Sequence, residues 1–204
     1  MRLLESSGNL VYLSNERSVF NMFTYIHFTQ QEIADFEAQP VSYRAYYDNG
    51  ARWIGRVGEE AFRRWLTLEE LSFTDLTGIG PSWIDFTVGN LKIDVKTVGA
   101  ASAIKDTYGC NFTAEQYDKM EQAEMEYKPN CFVFMRFIAS ERAVAIVGVK
   151  SKKNFDKDKL ERCAGVAVTD SYTPKLNTYE IQIDQCSPPQ RLVEYIRARN
   201  ELNV

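Results

Sequence analysis

The chain has 204 residues, of which 45% are hydrophobic and 25% are charged, an ordinary balance for a soluble globular protein that can bury a sizeable core. Its formal net charge of −4, with a sequence pI near 5.2, argues against a protein whose whole surface binds polyanions. The sequence begins without the apolar run of a signal peptide and contains no stretch of about 18 apolar residues. We therefore expect a cytoplasmic protein that makes no membrane contact.

Several common kinds of site are hard to build from this composition. The four cysteines are far apart in the chain, so neither a zinc ribbon nor an iron–sulfur cluster is indicated, and we expect reduced thiols. His27 is the only histidine, which makes a histidine-based metal site or a Ser-His-Asp triad hard to assemble. The sequence also lacks a glycine loop followed by Lys-Ser or Lys-Thr, so ATP use is not indicated.

In chain order, the first expected elements are helices. We expect an N-terminal helical segment over residues 1–50, with short helices at Asn15–Tyr25 and Thr29–Ala38 before Pro40. A longer helix follows over Ala51–Leu66, where apolar residues recur at helical spacing.

The helix over 51–66 carries two features that its apolar stripe does not explain. Gly55 and Gly58 lie one turn apart, and each costs about 1 kcal/mol relative to alanine in a helix interior. They therefore indicate the close approach of another backbone. Glu59 lies at the edge of the stripe, from where it can point along a neighbouring sheet. The alternative is a pair of surface salt bridges, Glu59 with Arg63 and Glu60 with Arg64.

After a short strand at Ser72–Leu76, the stretch PSWIDFTVGNLKIDVKT predicts a hairpin of strands 82–88 and 91–97. A two-residue loop with glycine first is a tight hairpin connection, and it fixes the register of the two strands. Asp85 then lies directly opposite Asp94 on the polar face, while the other face is apolar and suited to a core.

Opposed carboxylates at a Cβ separation of about 4.5–5.5 Å repel each other, so the pair needs compensation. One carboxyl group can take up a proton, Lys96 can neutralise part of the charge, or a divalent cation can bind between the two aspartates. The alternative is a solvated strand face on which both side chains point into water.

The second half of the chain continues the alternation of helices and strands. A helix is expected at Thr113–Tyr127, with Thr113 as its N-cap, and buried strands at Cys131–Ile138 and Ala143–Val149. The order helix, three strands, helix, strand, strand implies a mixed sheet with helices on its faces. The remaining segments are a lysine-rich stretch, a strand and a last helix, at 150–162, Thr178–Ile183 and Pro189–Asn200.

Asp85, followed on the next strand by Asp94-Val95-Lys96 and preceded by a helix with Gly58-Glu59, resembles the PD-(D/E)XK nuclease superfamily. Restriction enzymes, Holliday-junction resolvases and phage exonucleases belong to it. One departure is that Ile84 precedes Asp85, with the proline displaced to Pro81.

The resemblance covers about residues 51–150. It implies an α/β protein with a restriction-endonuclease-like mixed β-sheet core flanked by α-helices. The expected organisation is a single nuclease domain over 1–204, with its core at about 51–150 and a C-terminal elaboration at 151–204.

The resemblance further implies a Mg²⁺-dependent deoxyribonuclease, in particular an endonuclease, in which Mn²⁺ can replace Mg²⁺. Asp85 and Asp94 would be metal ligands together with the Val95 carbonyl, and Glu59 would reach the metal directly or through water. Lys96 would orient the attacking water or stabilise charge developing on the phosphate. Gln116 matches a glutamine often found near the active site in this superfamily.

Several alternatives stay open. Gln116 can equally be a surface helix residue, and Asp75 and Lys92 can be neighbours of the site without a role in it. The arginines near Glu59 and the lysine-rich stretch can bind the phosphate backbone of DNA or form a solvated face.

Assembly and activity stay open as well. A homodimer is an alternative because many members of the superfamily pair to cut two strands, and a phage-encoded enzyme would act in the host-cell cytoplasm. The chain can also be a nuclease-fold DNA-binding or structural module with little or no catalytic activity, or an α/β protein whose acidic hairpin has no function.

Overall fold

The fold is that of a computed structural model, which describes residues 2–6, 9–13, 23–38, 52–79, 83–100, 109–168 and 173–201. Its strands are β1 (Arg2–Ser6), β2 (Asn9–Leu13), β3 (Thr24–His27), β4 (Thr74–Asp75), β5 (Phe86–Val88), β6 (Leu91–Ala100), β7 (Gly109–Thr113), β8 (Cys131–Ile138), β9 (Ala143–Ser151), β10 (Leu160–Arg162) and β11 (Thr178–Gln182). Its α-helices are α1 (Gln30–Ala38), α2 (Arg52–Leu68), α3 (Ala114–Gln122), α4 (Lys152–Asp158) and α5 (Pro189–Glu201).

Six strands form one mixed sheet in the order β3-β9-β8-β6-β5-β4. β6 and β8 pair in parallel, with Asp94 beside Phe132 and Lys96 beside Phe134, while the other neighbours are antiparallel. The expected α/β class with a mixed sheet and flanking helices is therefore confirmed. β1 pairs with β2 in a separate two-stranded sheet.

Each face of the mixed sheet packs on its own core. Helices α2 and α5 cover one face, where Phe62 and Ile196 belong to the same buried cluster as Phe86. The antiparallel sheet β10-β11-β7, with α3 and α4, contributes the aromatic core on the other face, where Phe112 packs against Phe132. β6 thus lies in the interior of the sheet, with a core on both sides.

The hairpin register is confirmed where the strands pair. Phe86 lies opposite Ile93 and Val88 opposite Leu91, and Gly89 has the positive φ of 58° that a glycine-first turn requires. The apolar face enters the core as expected. The predicted strand 82–88 is too long, because β5 begins only at Phe86.

Asn130, just before β8, ties the hairpin to the rest of the sheet. Its side-chain oxygen accepts from the Lys92 N–H at 2.9 Å, and its own N–H donates to the Lys92 carbonyl at 2.8 Å. Its Nδ2 donates to the Asn90 carbonyl at 3.2 Å. These bonds fix the hairpin tip against the start of β8.

Of the described residues in the expected helical segment over 1–50, only α1 is helical. β1, β2 and β3 are strands, and β3 contains the end of the expected helix at Asn15–Tyr25, whose residues 15–22 lie outside the described residues. Thr24, Tyr25 and Ile26 are β-branched or aromatic, and pairing with β9 decides their conformation. The helix at Thr29–Ala38 is confirmed as α1.

Two further differences lie around α3. Thr113 caps the helix as expected, but α3 ends at Gln122, and a separate 3-10 turn spans Met125–Tyr127. The acidic residues after Gln122 are unfavourable at the negative end of a helix. Strand β7 was not predicted, because a five-residue strand with two buried side chains gives a weak pattern.

None of the helices within the described residues combines the length and the apolar character that crossing a membrane requires.

Candidate active site

Asp94 and Lys96 lie two residues apart on β6 and point to the same face of the sheet. Asp94 is 2% exposed, and Lys96 Nζ donates to Asp94 Oδ1 at 2.5 Å. Since both residues pair with β8, the backbone fixes both side chains relative to the sheet. The pairing of a buried carboxylate with a lysine satisfies one of its two oxygens.

Asp85 reaches the same place from just outside the strand ladder. Its backbone N–H donates to the Ile93 carbonyl at 2.8 Å, and its Oδ2 accepts from the Val95 N–H at 2.8 Å. The expected position directly opposite Asp94 within the ladder is therefore wrong, because the side chain takes the amide that would continue the ladder. The Asp85 side chain nevertheless lies close enough to Asp94 for each carboxyl group to influence the pKa of the other.

One oxygen of this pair lacks a partner. Asp94 Oδ2 is buried and accepts no hydrogen bond from any described donor. A buried carboxylate oxygen without a partner is costly, because it has lost water and gained nothing in exchange. A proton shared with Asp85 or a bound cation would satisfy it.

Glu59 comes to this cluster from α2. Gly58 lies against Thr97 of β6, and this close approach places the next residue beside the acids of β6. A close contact is thus present at Gly58, but its partner is the Thr97 side chain rather than the expected backbone. Gly55 has no atom within 4 Å of the position of a Cβ, so the expectation is wrong there.

The salt bridges of α2 involve Glu60 rather than Glu59. Glu60 pairs with Arg63 and, at 2.8 Å, with Arg64. Arg63 also donates to Asp75 at 2.7 Å, and Arg64 pairs with Glu32 at 2.7 Å. The expected Glu60–Arg64 bridge is present, whereas Arg63 is engaged by Glu60 and Asp75.

Burial raises the pKa of each acid in the cluster. It raises the pKa of Asp85 well above its ordinary value, with Asp94 and Glu59 adding to the effect and Lys96 opposing it. It also raises the pKa of Asp94, although Lys96 lowers it. Burial raises the pKa of Glu59 to about 7, with Lys96 lowering it and Asp94 raising it.

Lys96 stays charged in this setting. Burial lowers the pKa of Lys96, but the carboxylates of Asp94, Asp85 and Glu59 outweigh burial and raise it overall. The three acids and the lysine would carry a net charge of −2 if all were ionised, so the cluster favours protons or a cation.

Gln116 and Val95, the other two expected site residues, make only backbone hydrogen bonds among the described contacts. Gln116 is partly exposed in the first turn of α3, and its N–H donates to the Thr113 cap at 3.3 Å. It follows β7, whose Phe112 contacts Lys96, but no described bond joins its side chain to the acids. Val95 donates its N–H to Asp85. The proposed role of its carbonyl as a metal ligand stays a prediction.

Asp75 and Lys92 are held by other partners. Asp75 accepts from Arg63 and from the Thr77 hydroxyl, and these contacts lower its pKa against the effect of burial. Lys92 Nζ donates to the Glu126 carbonyl at 2.9 Å. Neither side chain bonds to Asp85 or Asp94 among the described contacts.

The lysine-rich stretch is largely neutralised by ion pairs. Lys150 pairs with Asp158 at 2.8 Å, and Lys152 with Glu121 and Asp156 at 2.9 and 2.7 Å. Lys153 and Lys157 are exposed. The stretch therefore offers less positive charge to a polyanion than its composition indicates.

Phe112 was not predicted as part of the site. Lys96 Nζ lies over its ring, 5.2 Å from the ring centroid. The pairing depends on the second sheet packing against the first, so no local sequence pattern could have indicated it. Thr97 was missed for a similar reason, although the helical glycine that it contacts was noticed.

Among the described residues, no group of three or more His, Cys, Asp and Glu side chains is arranged to hold a metal ion. In the comparisons with protein-family models, curated proteins and solved structures, nothing matches this chain.

Proposed function

We propose that the chain is a Mg²⁺-dependent deoxyribonuclease of the PD-(D/E)XK type, with a restriction-endonuclease-like fold, that hydrolyses phosphodiester bonds in DNA as an endonuclease. The observation that carries the proposal is the buried Asp94 Oδ2, which lacks a hydrogen-bond partner beside the Asp85 carboxyl group. A hard divalent cation would satisfy this oxygen and balance the net charge of the cluster.

The donor set fits Mg²⁺ better than a metal that needs several protein ligands. Mg²⁺ keeps several waters and is usually bound by one or two carboxylates together with substrate phosphate oxygens. Asp85 and Asp94 would hold it, with the Val95 carbonyl, and Glu59 would contact it through water. Mn²⁺ has the same preference for oxygen ligands.

Each residue of the cluster then has a distinct role. The metal, when bound, would neutralise charge on the scissile phosphate and acidify a bound water. Lys96 would donate to a phosphate oxygen and stabilise the charge that develops there. Glu59, whose pKa burial raises to about 7 in the metal-free cluster, would lie near the metal-bound water as a proton acceptor.

The test is DNA cleavage in matched buffers with Mg²⁺ or with EDTA. Linear, circular, branched and single-stranded DNA are incubated with the wild type, Asp94→Asn and Asp184→Asn. Asp184 is an exposed aspartate outside the cluster, so its variant controls for the loss of one charge. We expect Mg²⁺-dependent nicking that Asp94→Asn abolishes and Asp184→Asn retains. Absence of cleavage in all four DNA forms would refute the proposal.

A second candidate function is DNA binding without catalysis by the same fold. The observation that favours it is the short Lys96–Asp94 ion pair, which engages both groups with each other. Such a module would bind DNA in a gel-shift assay equally well as wild type and as Lys96→Ala, with no cleavage by either. Cleavage by the wild type that Lys96→Ala removes would exclude it.

A further inference from the structure

The Lys96 ammonium group has two neighbours of opposite character. It donates to Asp94 Oδ1 at 2.5 Å, and it lies 5.2 Å from the centroid of the Phe112 ring. A cation within about 6 Å of an aromatic ring face is attracted by the ring quadrupole. Because Phe112 has no charge and no strong acceptor, it attracts the ammonium group without engaging its N–H donors as a carboxylate would.

Phe112 is well placed for such a role because its own ring is held firmly. It is 3% exposed, and its ring contacts those of Phe132 and Phe155 with centroids 4.7 and 5.0 Å apart. Its backbone in β7 pairs with Tyr179 of β11. The second sheet thus presents a fixed apolar surface to the lysine of the first sheet.

The two neighbours of Lys96 differ in what happens to them when a substrate binds. Under the proposed function, on which this inference rests for its catalytic consequence, Asp94 is a metal ligand and Lys96 must bond to phosphate. The Phe112 ring, by contrast, can stay in contact with Lys96 when metal and substrate bind.

We propose that Phe112 is a positioning residue for Lys96, whose ring face holds the ammonium group beside the acid cluster and leaves its N–H donors for a phosphate oxygen. Phe112 itself touches no reacting atom. Its contribution is to restrict the lysine side chain before the substrate binds. Without the ring, the side chain would lose more conformational entropy on binding.

The first measurement does not need activity. In protein labelled with ¹³C-lysine, the ring current of Phe112 is expected to shift the ε-methylene protons of Lys96 upfield, with the signal assigned by its loss in Lys96→Arg. Phe112→Leu should remove the shift. Phe155→Leu makes the same change in the same aromatic cluster, and it should retain the shift.

The second measurement is the rate of plasmid cleavage in Mg²⁺. Loss of a cation–π contact is expected to lower kcat about tenfold in Phe112→Leu, with KM within about twofold. Phe112→Tyr, which keeps a ring face, should restore kcat, and Phe155→Leu should leave it near the wild-type value. Thermal unfolding of each variant checks folding, and Phe112→Met, whose flexible side chain fills irregular gaps, replaces Phe112→Leu if the latter does not fold.

The outcomes separate the two proposals. An unchanged Lys96 signal in Phe112→Leu, or an equal fall of kcat in Phe112→Leu and Phe155→Leu, would overturn the role of Phe112. If the wild type cuts no DNA, the proposed function fails, and the NMR comparison alone decides whether Phe112 holds Lys96.

Discussion

Gly58 of α2 packs directly against Thr97 of β6. A Cβ at Gly58 would stand 1.7 Å from Thr97 Oγ1 and 2.7 Å from Thr97 Cβ, distances that real atoms do not adopt. The same contact buries Thr97 Oγ1 without a hydrogen-bond partner among the described residues. A glycine at this position therefore decides how closely α2, and with it Glu59, approaches the acids of β6.

We expect Gly58→Ala to push α2 away from β6. Overpacking of this kind lowers the free energy of unfolding by about 1–3 kcal/mol, in spite of the better helix propensity of alanine. Urea unfolding measures it. Gly55→Ala is the matched control, because nothing lies within 4 Å of its Cβ, and it should stabilise the protein by up to about 1 kcal/mol. Equal stability of the two variants would contradict the role of the contact.

The protonation of Glu59 should make the metal-free protein less stable as the pH rises. Its pKa is about 7 in the folded protein against 4.5 for the free side chain, so the folded state binds the proton more tightly. The resulting stabilisation is complete below pH 4.5 and is lost as the pH rises through about 7. It amounts to at most about 3 kcal/mol.

Urea unfolding in EDTA at pH 5 and pH 8 measures this dependence. Glu59→Gln should reduce the difference between the two pH values, because it removes the titrating group. Glu124→Gln, at an exposed position just before the 3-10 turn that follows α3, should leave the difference unchanged. A pH dependence that is the same in Glu59→Gln and the wild type would argue against a raised Glu59 pKa.

Lys96 should stabilise the fold as well as serve the proposed reaction. Its removal leaves buried carboxylates without their cation, and loss of one partner of a buried pair lowers the free energy of unfolding by about 3–5 kcal/mol. We expect Lys96→Met to be most destabilised at pH 8, where the acids must ionise, and less so at pH 5. Lys153→Met at an exposed position is the control and should change stability little.

Mg²⁺ should raise the thermal stability of the wild type at pH 8. A ligand at a hundred times its dissociation constant stabilises the folded state by about 2.7 kcal/mol. Asp94→Asn should remove the shift in Tm, and Asp184→Asn should keep it. A Tm that does not respond to Mg²⁺ or Mn²⁺ in the wild type would count against the metal site, even if DNA is bound.

The salt dependence of DNA affinity tests whether the lysine-rich stretch at 150–162 contacts the phosphate backbone. Each phosphate contact contributes about 0.9 to the slope of log K against log salt concentration. If the exposed side chains contact DNA, Lys153→Ala with Lys157→Ala should lower the slope by about 1–2. Lys152→Ala should change it less, since Lys152 already pairs with Glu121 and Asp156. Equal slopes for all variants would indicate that this stretch does not bind DNA.

Local patterns predicted the hairpin well. The Gly89-Asn90 turn fixed the register, and the alternation of apolar and polar residues assigned the faces correctly. The open end of the hairpin, where β5 begins, could not be predicted. The ladder stops there because the Asp85 side chain competes for the Val95 amide. Such competition between a side chain and the backbone depends on the geometry of the last pair rather than on residue type.

Long-range contacts explain what the sequence did not reveal. β3 pairs with β9 although the two strands are far apart in the chain, so that Thr24 lies beside Ile146. Phe112 faces Lys96 only because two sheets pack together. Asp85, Asp94 and Lys96 could be placed together from the hairpin alone, since their relation is local, whereas Phe112 could not.

The interior location of β6 has a consequence for how the site behaves in solution. Asp94 and Lys96 lie in the part of β6 that pairs with β8, and amides bonded within a sheet exchange with solvent only when that sheet opens. The amides of Asp94 and Lys96 should accordingly exchange among the slowest in the protein. For Asp94 and Lys96, adjustment to a bound ligand is therefore expected to come from side-chain rotation rather than from movement of the β6 backbone.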